Sequence, residues 1–284
     1  MKKPIIAIMY DFDKTLCTRD MQEYTFIPSV GMKADEFWKY TDKIATTEIM
    51  DSILAYMYAM VEKTQQNGTP LTRESLVACG KDIEYYPGVE GWFERINRYA
   101  EEAGVEVEHY VLSSGLKEII EGTSVAKFFK KIYACEFMYK DGHAIWPKLA
   151  VNYTNKTQFV YRINKGVLDI NNNVDLNNSR PDHEKRVFFS NMIYIGDGLT
   201  DVPCMKLVKQ SGGHSIAIFH PGKHSSAAQL LKHERVDWIF EADYSEGSAL
   251  DRTMKSLLQN LAYYNQLKGL NEQQKREFKD FSAM

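Results

Sequence analysis

Two aspartates two residues apart, Asp11 and Asp13, follow an apolar run from Ile5 to Tyr10. At the end of an extended strand, side chains at i and i+2 leave on the same side. Two carboxylates crowded there repel, and burying them unpaired costs on the order of several kcal/mol each. A divalent cation removes that conflict, and an all-oxygen donor set suits a hard ion. As ordinary turn acids the same residues need no cation. Farther along, Gly196-Asp197-Gly198-Leu199-Thr200-Asp201 places an acid between two glycines after a second apolar run, Met192 to Ile195. The glycines let the backbone take a tight path close to a ligand. Asp201 lies one helical turn beyond Asp197 and could orient a neighbour; the plainer alternative is a Gly-rich turn with an N-cap Asp.

Two further segments offer groups for an anion. Ser113 closes Tyr110-Val111-Leu112 and is followed by Ser114 and Gly115. If a helix starts there, hydroxyl and backbone donors point at an anion site; otherwise Ser113 is an N-cap serine. Lys156 falls at an expected helix start, where a cation opposes the helix dipole. It therefore answers to something else, such as a phosphate, or else it is a surface lysine.

The elements that must position these residues alternate. Ile5 to Tyr10 reads as a buried strand. Residues 20 to 83 read as helical, with Phe37, Trp38, Ile44, Ile53, Met57 and Met60 largely at helical spacing. From Pro87 onward helix and strand take turns, with strands expected at 105–112, 132–139, 192–195, 215–219 and 236–240 and a long helix from about Ser248. Asp141-Gly142 is a hairpin signal. Residues 165–186 are polar and asparagine-rich and read as a mobile surface loop. The last 15 or so residues are charged and are expected to fray. The alternation predicts an α/β fold: a doubly wound, Rossmann-like, mostly parallel sheet. In such sheets ligands bind beyond the carboxyl ends of the strands. Asp11 and Asp13, Ser113, and Asp197 all fall at such ends.

The composition sets the outer limits. With 284 residues, a net charge of -3 and basic residues dispersed along the chain, the sequence predicts no general attraction to nucleic acid or to an anionic membrane. No stretch reads as a membrane span or a signal peptide. The four cysteines (Cys17, Cys79, Cys135 and Cys204) lack metal-binding spacing and read as reduced thiols of a cytoplasmic protein.

In this order, the four segments resemble the signature motifs of the haloacid dehalogenase (HAD) superfamily: the D-x-D-x-T loop, a strand ending in Ser or Thr, a lysine at a helix start, and the G-D-x-x-x-D pattern. The resemblance spans roughly residues 5 to 220. A helical stretch between the first two motifs makes the chain look most like the phosphoserine-phosphatase-like branch. The resemblance implies a core at 1–19 and 84–284 with a helical cap domain at 20–83. It implies hydrolysis of a phosphate monoester through an aspartyl-phosphate, without supplying the substrate; a cap closed over the site leaves little room for a folded phosphoprotein, so a small soluble metabolite is expected. Asp11 would be the nucleophile, and Asp13 would be the acid that later activates water. Asp11, the backbone carbonyl of Asp13, and Asp197 would hold Mg²⁺. Ser113 and Lys156 would bind phosphoryl oxygens, with Thr15, Ser114 and Gly115 beside them. Asp201 would steady Lys156 or the metal's shell, and Gly198 would support the metal loop. Asp20 and Glu23, at the start of the cap, would either meet a substrate amino group or cap a helix, and capping is the simpler reading.

Two other readings share this chemistry. A phosphotransferase or mutase would use the same intermediate and a different acceptor. A phospho-aspartate receiver module has a similar acidic site, but on a chain about half as long, without the helical insertion or the second aspartate.

Overall fold

The computed structural model describes residues 3–181 and 184–279. Its strands are β1 (Ile5–Tyr10), β2 (Glu106–Leu116), β3 (Phe129–Lys140), β4 (His143–Leu149), β5 (Met192–Gly196), β6 (His214–Phe219) and β7 (Trp238–Glu241). They form one sheet in the order β4-β3-β2-β1-β5-β6-β7. Every pairing is parallel except that of β3 with β4. All residues of β1 and β5 are buried. A central strand covered on both faces has no polar side, which is why both read as unbroken apolar runs.

The helices are α1 (Phe26–Ser29), α2 (Ala34–Thr47), α3 (Ser52–Gln66), α4 (Arg73–Cys79), α5 (Val89–Ala103), α6 (Lys117–Glu121), α7 (Lys156–Lys165), α8 (Asn173–Asn177), α9 (Val202–Gln210), α10 (Ser225–Lys232) and α11 (Ala249–Lys279). Helices α1 to α4 all lie between β1 and β2 in the chain, the stretch expected to be helical. Asp51 caps α3 by accepting from the amides of Ile53 and Leu54, and Thr72 and Ser75 form a reciprocal cap on α4. This insertion docks on the hairpin side of the sheet. The Ala144 amide donates to the Leu71 carbonyl (2.8 Å), and Asn152 Nδ2 donates to Asp51 Oδ2 (2.8 Å). Phe37, Tyr56, Met57 and Met60 belong to the same apolar cluster as the sheet residues.

Three details depart from the sequence reading. First, β2 runs on to Leu116 through a register irregularity between Leu112 and Leu116, so Ser113 lies within an irregular strand and not at a helix start. Second, the asparagine-rich stretch is tied down. Arg162, almost wholly buried, donates to the carbonyls of Asp169 (2.7 Å), Ile170 (2.9 Å) and Asn172 (3.3 Å) and to Asn173 Oδ1 (2.7 Å). Lys165 Nζ adds bonds to the carbonyls of Leu176 (2.5 Å) and Asn178 (2.9 Å). A guanidinium gathering carbonyls turns a polar segment into an ordered wrap over α7; residues 182 and 183 of that stretch lie outside the described residues. Third, α11 continues to Lys279 through part of the tail expected to fray, and residues 280–284 lie outside the described residues. The hairpin is as expected: Asp141 and Gly142 have φ of 50° and 80°, the left-handed pair that a tight two-residue turn requires.

No helix among the described residues is long and apolar enough to cross a membrane. All four cysteines are buried free thiols.

Candidate active site

The chain lays β2, β3 and β4 on one side of β1 and β5, β6 and β7 on the other. The crevice between the carboxyl ends of β1 and β5 is therefore the topological switch point, where open α/β sheets bind ligands. Asp11 follows β1 directly and Asp197 follows β5. The Asp11 amide donates to the Ile195 carbonyl (2.9 Å), which extends the pairing of the two strands into the site.

Lys156, the first residue of α7, is fully buried. Its Nζ donates to Asp11 Oδ1 (3.0 Å) and to Asp201 Oδ1 (2.9 Å). Tyr194, pointing from β5, donates its hydroxyl to the same Asp201 oxygen (2.8 Å), and the Gly198 amide reaches Asp201 Oδ2 (3.3 Å). Asp201 is thus committed to orienting Lys156. A Cβ on Gly196 would stand 2.5 Å from Asp201 Oδ2, so glycine is required there. A Cβ on Gly198 would meet nothing within 4 Å, so only one of the two glycines carries the tight approach expected of both.

Carboxylate oxygens of Asp11, Asp197 and Asp201 lie within 4.8 Å of one another. Among the described residues none donates a hydrogen bond to Asp197. Burial first, then the Asp201 and Asp11 charges, push the Asp197 carboxyl up to about 8. Burial and then Asp201 raise Asp11 to about 7, against the pull of Lys156. Burial alone would lower Lys156, but Asp11 and Asp201 outweigh it and hold the ammonium above its ordinary range. The cluster carries more negative charge than its one buried cation offsets. A hard divalent ion fits that excess and that oxygen donor set, with Asp11 and Asp197 having lone pairs to spare.

Asp13 stands across this cluster. Its Oδ1 accepts from the Met21 amide (2.8 Å), and its Oδ2 lies close enough to Gly115 that a Cβ there would approach it to 2.7 Å. Burial, then the charges of Asp20 and Asp11, hold its carboxyl well above the usual range. Thr15 and Ser113 are buried. Thr15 Oγ1 and Ser114 Oγ have no hydrogen-bond partner, whereas Ser113 Oγ accepts from the Gly115 amide (3.0 Å). The Ser114 carbonyl accepts from Tyr56 of α3 (2.8 Å), and Met21 Sδ takes the Leu116 amide (3.1 Å). Hence the Gly115 amide, expected as a helix-start donor for an anion, already has a partner, as does the Leu116 amide that follows it.

Asp20 and Glu23 do not act as helix caps. Asp20 precedes the short 3-10 turn Met21–Glu23 but makes no side-chain capping bond; its Oδ2 pairs with Lys14 Nζ (2.6 Å). Glu23 accepts from Trp38 Nε1 (2.7 Å). Sequence reasoning missed Tyr194, Tyr56 and Met21. In sequence, all three look like ordinary core residues.

The model of the haloacid dehalogenase-like hydrolase family matches residues 8–206. An uncharacterized protein of Borreliella burgdorferi (strain B31) is 26% identical over 277 residues, covering 88% of this chain and 95% of that protein. Among solved structures, a phospho-aspartyl intermediate analogue of phosphoserine phosphatase is similar at a TM-score of 0.55 and 16% identity, over 89% of this chain and 99% of that one. An unliganded probable phosphoserine phosphatase from Vibrio cholerae is similar at 0.57 and 11% identity, over 93% and 67% of the two chains. A HAD family hydrolase from Salmonella enterica serovar Typhi is similar at 0.55 and 15%, over 84% and 67%. At such identities the structures speak for the fold, while the family match covers both strand ends that carry the acids; the chain belongs to the haloacid dehalogenase-like hydrolases, with the fold of their phosphoserine-phosphatase-like branch.

Proposed function

We propose that the protein is a magnesium-dependent phosphatase that cleaves a small phosphate monoester through an aspartyl-phosphate on Asp11. The observation that carries this reading is the buried Lys156, held at about 3 Å by Asp11 and Asp201 beside the unpartnered Asp197. Such a floor combines a carboxylate nucleophile with the positive charge that a phosphate dianion demands. Asp11 and Asp197, joined by the Asp13 backbone carbonyl, would hold Mg²⁺, which supplies charge neutralisation between nucleophile and substrate.

A carboxylate oxygen of Asp11 bonds to phosphorus as the ester P–O bond breaks. Asp13, whose affinity for protons is raised by burial and by the charges of Asp20 and Asp11, gives a proton to the departing oxygen. It then takes a proton from water, whose oxygen attacks phosphorus and frees Asp11 with release of phosphate. Lys156 offsets the phosphoryl charge throughout, and Asp201, itself held by Tyr194, keeps its ammonium in place. Thr15, Ser113 and Ser114 offer hydroxyls to the phosphoryl oxygens. Residues 20–83 act as a cap that shields the site from bulk water and favours a small metabolite over a protein, nucleic acid or membrane substrate.

The test is phosphate release from a panel of phosphorylated metabolites with Mg²⁺ and with a chelator. We expect release with the metal only, and its loss in Asp11→Asn at unchanged fold. Turnover near wild type in Asp11→Asn removes the assignment. Phosphate appearing on an added alcohol in place of free phosphate identifies a transferase.

A further inference from the structure

We propose that Lys14 is a specificity-determining residue whose ammonium binds a second anionic group, a carboxylate or another phosphate, on the part of the substrate that leaves with the ester oxygen. This rests on the phosphatase reading and adds a substrate class to it.

The backbone is the first observation. Lys14 lies between Asp13 and Thr15 with φ of 55°, a conformation that favours glycine and that a long side chain adopts at a cost. Glycine would hold this turn more cheaply, and the strain falls between two residues of the acidic site, the setting in which such a cost accompanies function. The second is position. Asp11, Asp201 and Lys156 form a buried floor, while the Lys14 side chain is 50% exposed. It nonetheless feels the charges of Asp13 and Asp197, after that of Asp20. Adjacent to Asp13 in the chain and paired with Asp20 at the start of the insertion, it stands at the exposed rim of the site.

The third is availability. Lys156 is fixed by two buried carboxylates. Among the described residues Lys14 pairs with Asp20 alone, through a 2.6 Å ion pair whose partners are 50% and 26% exposed. A solvated pair of this kind contributes little and exchanges readily, so a substrate anion can take the place of Asp20. With Asp20 parked on Lys14, the empty site keeps its rim neutral. An ester carrying its own anion releases Asp20, and an ester without one gains nothing from Lys14.

The test compares two esters of one skeleton, glycerol 3-phosphate and 3-phosphoglycerate, the second bearing a carboxylate. Lys14→Met should lower kcat/KM for 3-phosphoglycerate at least tenfold more than for glycerol 3-phosphate, with the difference in KM, and Lys14→Arg should restore most of it. Asp20→Asn should lower KM for the carboxylate ester severalfold. If Lys14→Met fails to fold, Lys14→Gly suits the backbone and carries the same test. Equal losses on both esters, a loss confined to kcat, or a raised KM in Asp20→Asn overturns this inference and leaves the phosphatase reading standing. No hydrolysis of either ester by the wild type, together with none across the metabolite panel, overturns both.

Discussion

Asp11 and Asp197 each sit in the field of two other carboxylates, and one buried ammonium, that of Lys156, lies among them. In the metal-free protein their carboxyls stand at about 7 and about 8, against an unfolded value of about 4. A carboxyl raised on folding adds stability that is full below its unfolded pKa and is lost as pH climbs through its folded one. The metal-free protein should therefore lose stability from about pH 4 to about pH 8, each carboxyl giving up at most ~1.4 kcal/mol for every tenfold fall in proton concentration. A cation bound by Asp11 and Asp197 replaces the protons, so its benefit grows over the same window. We expect the rise in Tm on adding Mg²⁺ to be severalfold larger at about pH 8 than at about pH 5.5. Thermal scans at the two pH values check this, and a rise that ignores pH would count against these two ligands.

At the scale of elements, the turn between α2 and α3 carries a cost that nothing around it offsets. Ile49 has φ of 50° and is 94% exposed, and a β-branched side chain in the left-handed region is strained. Ile49→Gly should stabilise the protein by about 1 kcal/mol. Denaturant titration checks it, and a destabilised variant would mean that the isoleucine packs against something when the protein works.

The elements also show where sequence stops being informative. Strands β1 and β5 could be read because burial on both faces leaves an unbroken apolar run, and the acids at their ends, Asp11 and Asp197, stood out against it. Ser113 was found as a candidate but misplaced, because the irregularity of β2 depends on its pairing with β3 and on Met21, 92 residues earlier in the chain. The asparagine-rich stretch looked free because its anchor, Arg162, sits in the preceding helix and reads there as a surface arginine. The partners of Asp20 and Glu23 were hidden for the same reason: no local pattern announces that Lys14 or Trp38 will fold back on them.

For the molecule as a whole, the question is how firmly the insertion grips the site. Tyr56 reaches from α3 to the Ser114 carbonyl, and Met21 touches both Asp13 and the turn around Gly115. Because the insertion shares one apolar cluster with the sheet, its helices cannot lift away without exposing that surface. Any opening is therefore an equilibrium set against burial, with the Tyr56 bond adding about 1 kcal/mol to the closed side. Tyr56→Phe should quicken amide exchange in residues 52–66 about fivefold while leaving β5 and β6 protected. Exchange that quickens equally everywhere would point to global destabilisation and not to a loosened insertion.

The central place of β1 has a consequence during synthesis. Ile-Ile-Ala-Ile-Met-Tyr is the innermost strand, yet its neighbour on one side begins at Glu106 and on the other at Met192. At a ribosomal rate of roughly 5–20 residues per second, the second neighbour emerges about ten to forty seconds after β1. Throughout that wait the chain holds an uncharged, strand-prone hexapeptide with at least one unpaired edge, the kind of segment that nucleates aggregates. Until β5 arrives the switch-point crevice does not exist, so Asp11 cannot meet Asp197 and no cation can help the nascent chain fold. Any chaperone that shields the nascent chain during that wait has the segment beside Asp11 to cover.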